Sequence, residues 1–201
     1  MAKKQSAALK QASQLIRAAH HPLLVCHVSP DGDAVGSLTA LGWALRQMGL
    51  QPALACSDPI PAQFDYIPGT RTIVQEVNTP FDLVVCVDCS DRERLGRFLE
   101  LPAFGSVPLV NIDHHVTNAH FGTVNLVDPE ASSTAEIVLR LLDAMRIPLS
   151  PESATCLLAG IVSDTRGFRT GNTTVEVVET ALRLMRAGAS LPYVAHHALD
   201  R

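Results

Sequence analysis

Val110-Asn111-Ile112-Asp113-His114-His115 decides how the chain is read. Its apolar half has the length and β-branched content of a buried strand, and the strand ends by delivering one carboxylate and two adjacent imidazoles into a loop. Burying three such groups without partners costs several kcal/mol. They must therefore meet one another, a metal ion or a ligand; a solvated turn that merely contains histidines is the alternative for this stretch taken alone.

Two more apolar runs end in the same way. Leu23-Leu24-Val25-Cys26-His27-Val28 reads as a strand covered on both faces, as in a parallel sheet. It runs into Ser29-Pro30-Asp31-Gly32-Asp33-Ala34-Val35-Gly36-Ser37, after which Leu38, Leu41, Leu45 and Met48 mark an amphipathic helix. Asp31 and Asp33 alone read equally well as turn residues. His27 shifts that reading, because a turn needs no imidazole at the end of a buried strand. The third run, Phe81 to Ser90, ends in Asp88, which could cap a helix over Arg92 to Leu99 or join the other acids. The pattern predicts an α/β fold with a mainly parallel sheet flanked by helices on both faces, its ligating residues gathered at the carboxyl ends of the strands.

Elsewhere, apolar spacing predicts helices over about Ser6 to Ala19, Ala135 to Met145, Ala154 to Val162, Thr173 to Ala187 and Leu191 to Leu199. Ser132 or Ser133 can cap the second of these with help from Glu136, and Ser150-Pro151 opens the third. Pro52 to Cys56 and Phe121 to Val127 read as extended. Asp164 falls at a helix C-terminus, where a carboxylate opposes the dipole unless a cation partners it. His196 and His197 lack acidic companions nearby in sequence and read as solvent-facing or linker residues.

With 47% hydrophobic against 18% charged residues, the 201-residue chain suits one large globular domain. A net charge of -4 excludes the basic footprint of a duplex nucleic-acid binder. Five scattered cysteines (Cys26, Cys56, Cys86, Cys89 and Cys156) suit reduced thiols in a cytoplasm. Cys86-Val87-Asp88-Cys89 lacks the second ligand pair that a structural zinc site needs. Neither a signal peptide nor a membrane span is expected.

His27, Asp31, Asp33, Asp88, His114 and Asp164, with Asp113 and His115 beside them, are too many ligands for one tetrahedral zinc ion. They fit two divalent cations sharing a bridging carboxylate. Oxygen and nitrogen donors without sulfur favour Mn²⁺, with Mg²⁺, Co²⁺ or Fe²⁺ also accepted. Such a pair of ions serves in-line displacement at phosphorus by a bound hydroxide, so phosphoester hydrolysis is the expected reaction class. His114 and His115, adjacent in an extended segment, are expected to point to opposite sides of the backbone.

His27-x3-Asp31-x-Asp33 with Gly36-Ser37, then Val87-Asp88, Asp113-His114-His115 and Ser163-Asp164-Thr165, resemble the four ordered motifs of the DHH phosphoesterase superfamily over about residues 23 to 185. Phe64 to Gly69 and Asp164 to Asn172 look most like its nanoRNase and pAp phosphatase group. That resemblance implies hydrolysis of short RNA or DNA oligonucleotides or of 3′-phosphoadenosine 5′-phosphate. Dinucleotide phosphodiesterase, single-strand exonuclease, pyrophosphatase and a nucleotide-binding regulatory module are the alternatives. It implies His27 and Asp31 on one ion, Asp33 and His114 on the other, Asp88 bridging and Asp164 completing the shell. His115 would face the phosphate, Asp113 would orient an imidazole, and Arg169 and Arg166 would hold phosphate. The chain would then be a catalytic domain over residues 1–201, with a linker beginning at about residue 188, a second substrate-gripping domain absent, and a homodimer admissible.

Overall fold

Six strands, β1 (Pro22–Cys26), β2 (Ala53–Ala55), β3 (Ile73–Val74), β4 (Leu83–Val87), β5 (Leu109–Asp113) and β6 (Val124–Val127), pair in parallel in the order β3-β2-β1-β4-β5-β6. The computed structural model describes residues 2–199; Met1 and the last two residues of the expected linker lie outside the described residues. Every residue of β1, β4 and β5 is buried, which is why these strands read as continuous apolar runs rather than alternating ones. From β1 the chain moves outward through β2 and β3, then returns to β4 on the other side of β1. This reversal makes the carboxyl ends of β1 and β4 the topological switch point, where such sheets open a crevice for ligands.

One sheet face, with Leu24, Cys26, Val85, Val87, Val110 and Ile112, shares a core with all the α-helices: α1 (Ala2–Ala18), α2 (Gly32–Gln47), α3 (Thr134–Ala144), α4 (Pro151–Asp164), α5 (Val175–Arg186) and α6 (Leu191–Leu199). The opposite face, with Leu23, Val25, Val84 and Cys86, is covered by Leu95, Phe98 and Phe104 from two 3₁₀ helices, Glu93–Glu100 and Pro102–Gly105. Helices thus flank both faces, but the helix expected over Arg92 to Leu99 is 3₁₀ and is broken at Gly96 (φ 59°, ψ −135°). The break follows from close packing. A Cβ at Gly96 would lie 2.7 Å from Ser57 Oγ and 2.8 Å from Val28 Cγ1. The segment is further pinned by Val28 N–H donating to Arg94 O (2.8 Å) and Ser57 Oγ donating to Leu95 O (2.8 Å).

Helix α2 is buried almost all round, because α4 covers the side that the sheet does not. The two helices meet backbone to backbone at Gly36, where a Cβ would stand 2.5 Å from Cys156 O and 3.0 Å from Gly160 N. Ser150 and Ser153 cap α4 reciprocally with Pro151 at its first position, so it starts earlier than its apolar spacing indicates. Within the expected linker, α6 docks Val194 into the core. His196 is exposed, whereas His197 is half-buried and stacks on Tyr66 with ring centroids 5.3 Å apart. Among the described residues no helix is long and apolar enough to cross a membrane.

Candidate metal centre

The three strand ends meet as their patterns predict. His27 follows β1, Asp88 follows β4, Asp113 closes β5, and His114 and His115 leave it. The N-terminus of α2 adds Asp31 and Asp33, and the C-terminus of α4 adds Asp164.

Asp88 stands at the centre. It is 1% exposed, and its two carboxylate oxygens face different imidazoles: Oδ2 lies 3.5 Å from His27 Nε2, and Oδ1 lies 3.9 Å from His114 Nε2. Its backbone sits in the left-handed region (φ 61°), a conformation that costs a non-glycine residue about 1–2 kcal/mol and is tolerated where surroundings over-determine it. Here Asp88 N–H donates to Ile112 O at 2.9 Å, and Thr134 Oγ1 donates to Asp88 Oδ1 at 2.8 Å.

On one side, His27 Nε2 lies 3.8 Å from Asp31 Oδ2. Asp31 is also the N-cap of α2, its Oδ1 accepting from the amides of Asp33 and Ala34 at 3.0 Å each, so both of its sequence readings hold at once. Burial works against the charged forms of this pair, yet mutual attraction prevails. His27 is pushed up to about 10 by Asp31 and Asp88, and Asp31 is held down at about 2 by His27 and the two amides. On the other side, His114 Nε2 lies 3.1 Å from Asp164 Oδ2, which supplies the cationic partner that a carboxylate at the end of α4 calls for. Burial opposes the protonated ring of His114 as well, and Asp164, Asp33 and Asp88 outweigh it and push it up to about 10.

Asp33 is fully buried at the N-terminus of α3. Its Oδ2 accepts from Thr134 N at 2.6 Å, and its Oδ1 accepts from Ala135 N at 3.0 Å and from Ser37 Oγ at 3.2 Å. Burial and the neighbouring charges of Asp88 and Asp164 raise this carboxyl well above the usual range. Several carboxylates converging in a buried site repel one another, and bound divalent cations would relieve that repulsion. Potential ligand atoms of His27, Asp31 and Asp88, of Asp33, His114 and Asp164, and of Asp88, His114 and His115 fall within 4.8 Å of one another in each group. These groups contain no cysteine; Cys86 and Cys89 are buried thiols. The donor set therefore fits a pair of hard or borderline divalent ions that share Asp88.

The expectation that His114 and His115 point to opposite sides is overturned. Their rings lie 4.7 Å apart at 60°, and His115 Nδ1 stands 3.7 Å from the same Asp88 Oδ1 that His114 approaches. The strand ends at Asp113, so its two-residue alternation no longer governs the next two side chains. Asp113, fully buried, accepts from His115 Nδ1 at 2.7 Å and from Asn118 Nδ2 at 2.6 Å. The imidazole it orients is thus that of His115, leaving Nε2 of that ring for another partner. Arg166 and Arg169 are exposed on the turn after Asp164, and Arg169 Nε donates to Arg166 O at 2.6 Å. Sequence reading missed Thr134 and Asn118, whose roles depend on contacts across 46 and 5 residues, and Arg94, whose Nη2 lies 2.7 Å from His27 Nδ1.

A family model described as the DHH family, N-terminal domain, matches residues 22–161, which hold every candidate ligand except Asp164. The chain belongs to the DHH family. This DHH chain is 34% identical over 186 residues to a protein of Thermus thermophilus named bifunctional oligoribonuclease and PAP phosphatase NrnA, covering 91% of this chain and 55% of that one. It thus spans about half the length of this curated relative. Among solved structures it superposes on an exopolyphosphatase-related protein from Bacteroides fragilis with a TM-score of 0.91 at 25% identity, covering 98% of this chain and 61% of that one. It shares its fold at 19% identity with an exonuclease RecJ solved bound to manganese (TM-score 0.56), covering 88% of this chain and 47% of that one.

Proposed function

We propose that this DHH domain is the catalytic half of a cytoplasmic phosphoesterase that hydrolyses short RNA or DNA oligonucleotides, 3′-phosphoadenosine 5′-phosphate, or both, using two divalent cations, Mn²⁺ in the first place. The observation that carries the reading is Asp88, whose two oxygens face two different imidazoles at 3.5 and 3.9 Å. The name of the Thermus thermophilus relative supports the substrate class, and the five buried free cysteines support the compartment.

In this proposal His27 and Asp31 hold one ion, Asp33, His114 and Asp164 the other, and Asp88 belongs to both. Ions so held supply Lewis acidity to the phosphoryl oxygens and acidify a water. Asp113 fixes the His115 ring through Nδ1 and favours its protonated form, so that Nε2–H of the imidazolium donates to a non-bridging phosphate oxygen as charge develops there. Thr134 and the α3 amides hold Asp88 and Asp33 in their orientations without moving a proton. Arg166 and Arg169 are assigned to phosphates away from the reacting one.

The test is hydrolysis by the Mn²⁺-loaded protein of a panel containing 3′-phosphoadenosine 5′-phosphate, dinucleotides, five-residue RNA and pyrophosphate. Turnover of 3′-phosphoadenosine 5′-phosphate or of the pentamer, abolished by chelation and restored by Mn²⁺, is the expected result, and turnover of dinucleotides alone favours the dinucleotide phosphodiesterase alternative. Turnover of pyrophosphate alone rejects the substrate class.

A further inference from the structure

Arg94 carries a guanidinium with no carboxylate within ion-pair distance among the described residues, and its Nη2 lies 2.7 Å from Nδ1 of His27. Its backbone is fixed at three points. Val28 N–H donates to Arg94 O at 2.8 Å, Arg94 N–H donates to Asp91 Oδ1 at 3.0 Å, and the next carbonyl, Leu95 O, accepts from Ser57 Oγ at 2.8 Å. A long cationic side chain is thereby held half-buried beside His27, whereas Asp164 lies beside His114.

His27 offers this guanidinium no acceptor, because its Nδ1 hydrogen is directed at Val28 O, 2.6 Å away. Arginine has five donors and no lone pair to offer an N–H group. Nδ1–H and the guanidinium therefore present donors to each other, and the guanidinium must find an acceptor elsewhere. The acceptors next to His27 are the carboxylates of Asp31 and Asp88, both directed at the ring's other nitrogen. What the site leaves open to Arg94 is an anion brought in from outside.

We propose that Arg94 is a substrate-binding residue: its guanidinium, which has no carboxylate partner and finds no acceptor in His27, grips two oxygens of the substrate phosphate on the His27 side of the centre. The fork of the guanidinium matches a phosphate bidentately, which a lysine cannot reproduce. His115 and Arg94 then bracket the phosphate from two sides. This inference rests on the phosphoesterase reading for the nature of its ligand, but its test does not depend on turnover.

The experiment compares the full 201-residue chain with Arg94→Lys and Arg94→Ala, all loaded with Mn²⁺. Metal content is read by mass spectrometry, and binding of inorganic phosphate and of adenosine 5′-monophosphate by calorimetry. Both variants are expected to keep the wild-type Mn²⁺ content, with phosphate affinity reduced about ten- to hundred-fold in Arg94→Ala and by less in Arg94→Lys. Unchanged phosphate affinity in Arg94→Ala overturns the proposal. Loss of Mn²⁺ with normal affinity at the sites still loaded overturns it too, because Arg94 would then only buttress His27. Failure of the loaded wild-type chain to bind either phosphate compound is a third overturning result. If phosphate binds in an Arg94-dependent way but no phosphoester is cleaved, the assignment of Arg94 stands and the enzymatic reading falls.

Discussion

Thr134 donates its side-chain hydroxyl to Asp88 Oδ1 at 2.8 Å, tying the first turn of α3 to the carboxylate shared by both halves of the centre. Thr134→Val keeps the branched shape and removes the donor, leaving one lone pair of a buried carboxylate unserved. The expected result is an intact fold with Mn²⁺ affinity lowered about 10- to 100-fold, the usual effect of losing a group that orients a ligand. Calorimetric titration with Mn²⁺ beside a thermal melt checks it.

Asp88→Asn should empty both ion positions rather than one, since each oxygen of Asp88 serves a different imidazole. Mn²⁺ stoichiometry is expected to fall to near zero and turnover by at least about 10³. Retention of one full equivalent would show that Asp88 is a terminal ligand.

His114 and His115 lie ring to ring yet should fail differently. His114 Nε2 is 3.1 Å from Asp164, whereas His115 is held by Asp113 through Nδ1. His114→Ala is expected to lose one ion. His115→Ala is expected to keep both and lose about 10²–10³ in rate. Equal metal loss in the two variants contradicts the division.

Metal uptake should be coupled to proton release. In the ion-free site, carboxylate neighbours overcome burial and hold His27 and His114 up to about 10, so both rings are protonated near neutrality and each must give up a proton to ligate. Apparent Mn²⁺ affinity should therefore fall as pH is lowered from about 8 to about 6, by up to tenfold per pH unit for each proton released. The chelated chain should show the opposite trend in stability. Groups raised on folding contribute fully below the ordinary imidazole value of about 6.5, and that contribution is lost as pH rises through about 10. Denaturant midpoints with and without Mn²⁺ across this range test both signs.

Gly160→Ala probes the support behind Asp33. Helix propensity alone favours alanine by about 1 kcal/mol, but the new Cβ would lie 2.6 Å from Asp33 Oδ1 and 2.7 Å from Ala135 Cβ. Asp33 cannot step aside while Thr134 N and Ala135 N hold it, so overpacking of about 1–3 kcal/mol should prevail. A lower denaturant midpoint together with weakened Mn²⁺ binding is expected.

The strand ends were legible because a fully buried parallel strand is one apolar run, and a histidine or acid that terminates it has no packing role. That logic brought His27, Asp88 and Asp113 together before any coordinates. It failed one residue further on, at His114 and His115, where the alternation of a strand was applied past the last strand residue. It also could not reach Thr134, Arg94 or the all-round burial of α2, since each depends on which distant segment packs alongside. Asp33 shows the boundary well. Its sequence context gives an acid in the first turn of a helix, while two backbone amides of a different helix, 101 and 102 residues away, donate to its carboxylate.

The backbone contact between α2 and α4 at Gly36 also sets a gauge for ions. Asp31 and Asp33 start one of these helices and Asp164 ends the other, so the span between their carboxylates follows from peptide touching peptide rather than from pliable side chains. A mouth of fixed width discriminates by radius. Mg²⁺ binds oxygen at about 2.0–2.1 Å and Ca²⁺ at about 2.3–2.6 Å, so Ca²⁺ entering this mouth must push its ligands outward against a joint that does not give. Calcium is thereby expected to enter the centre poorly, with the glycines of two helices as the ruler that rejects it.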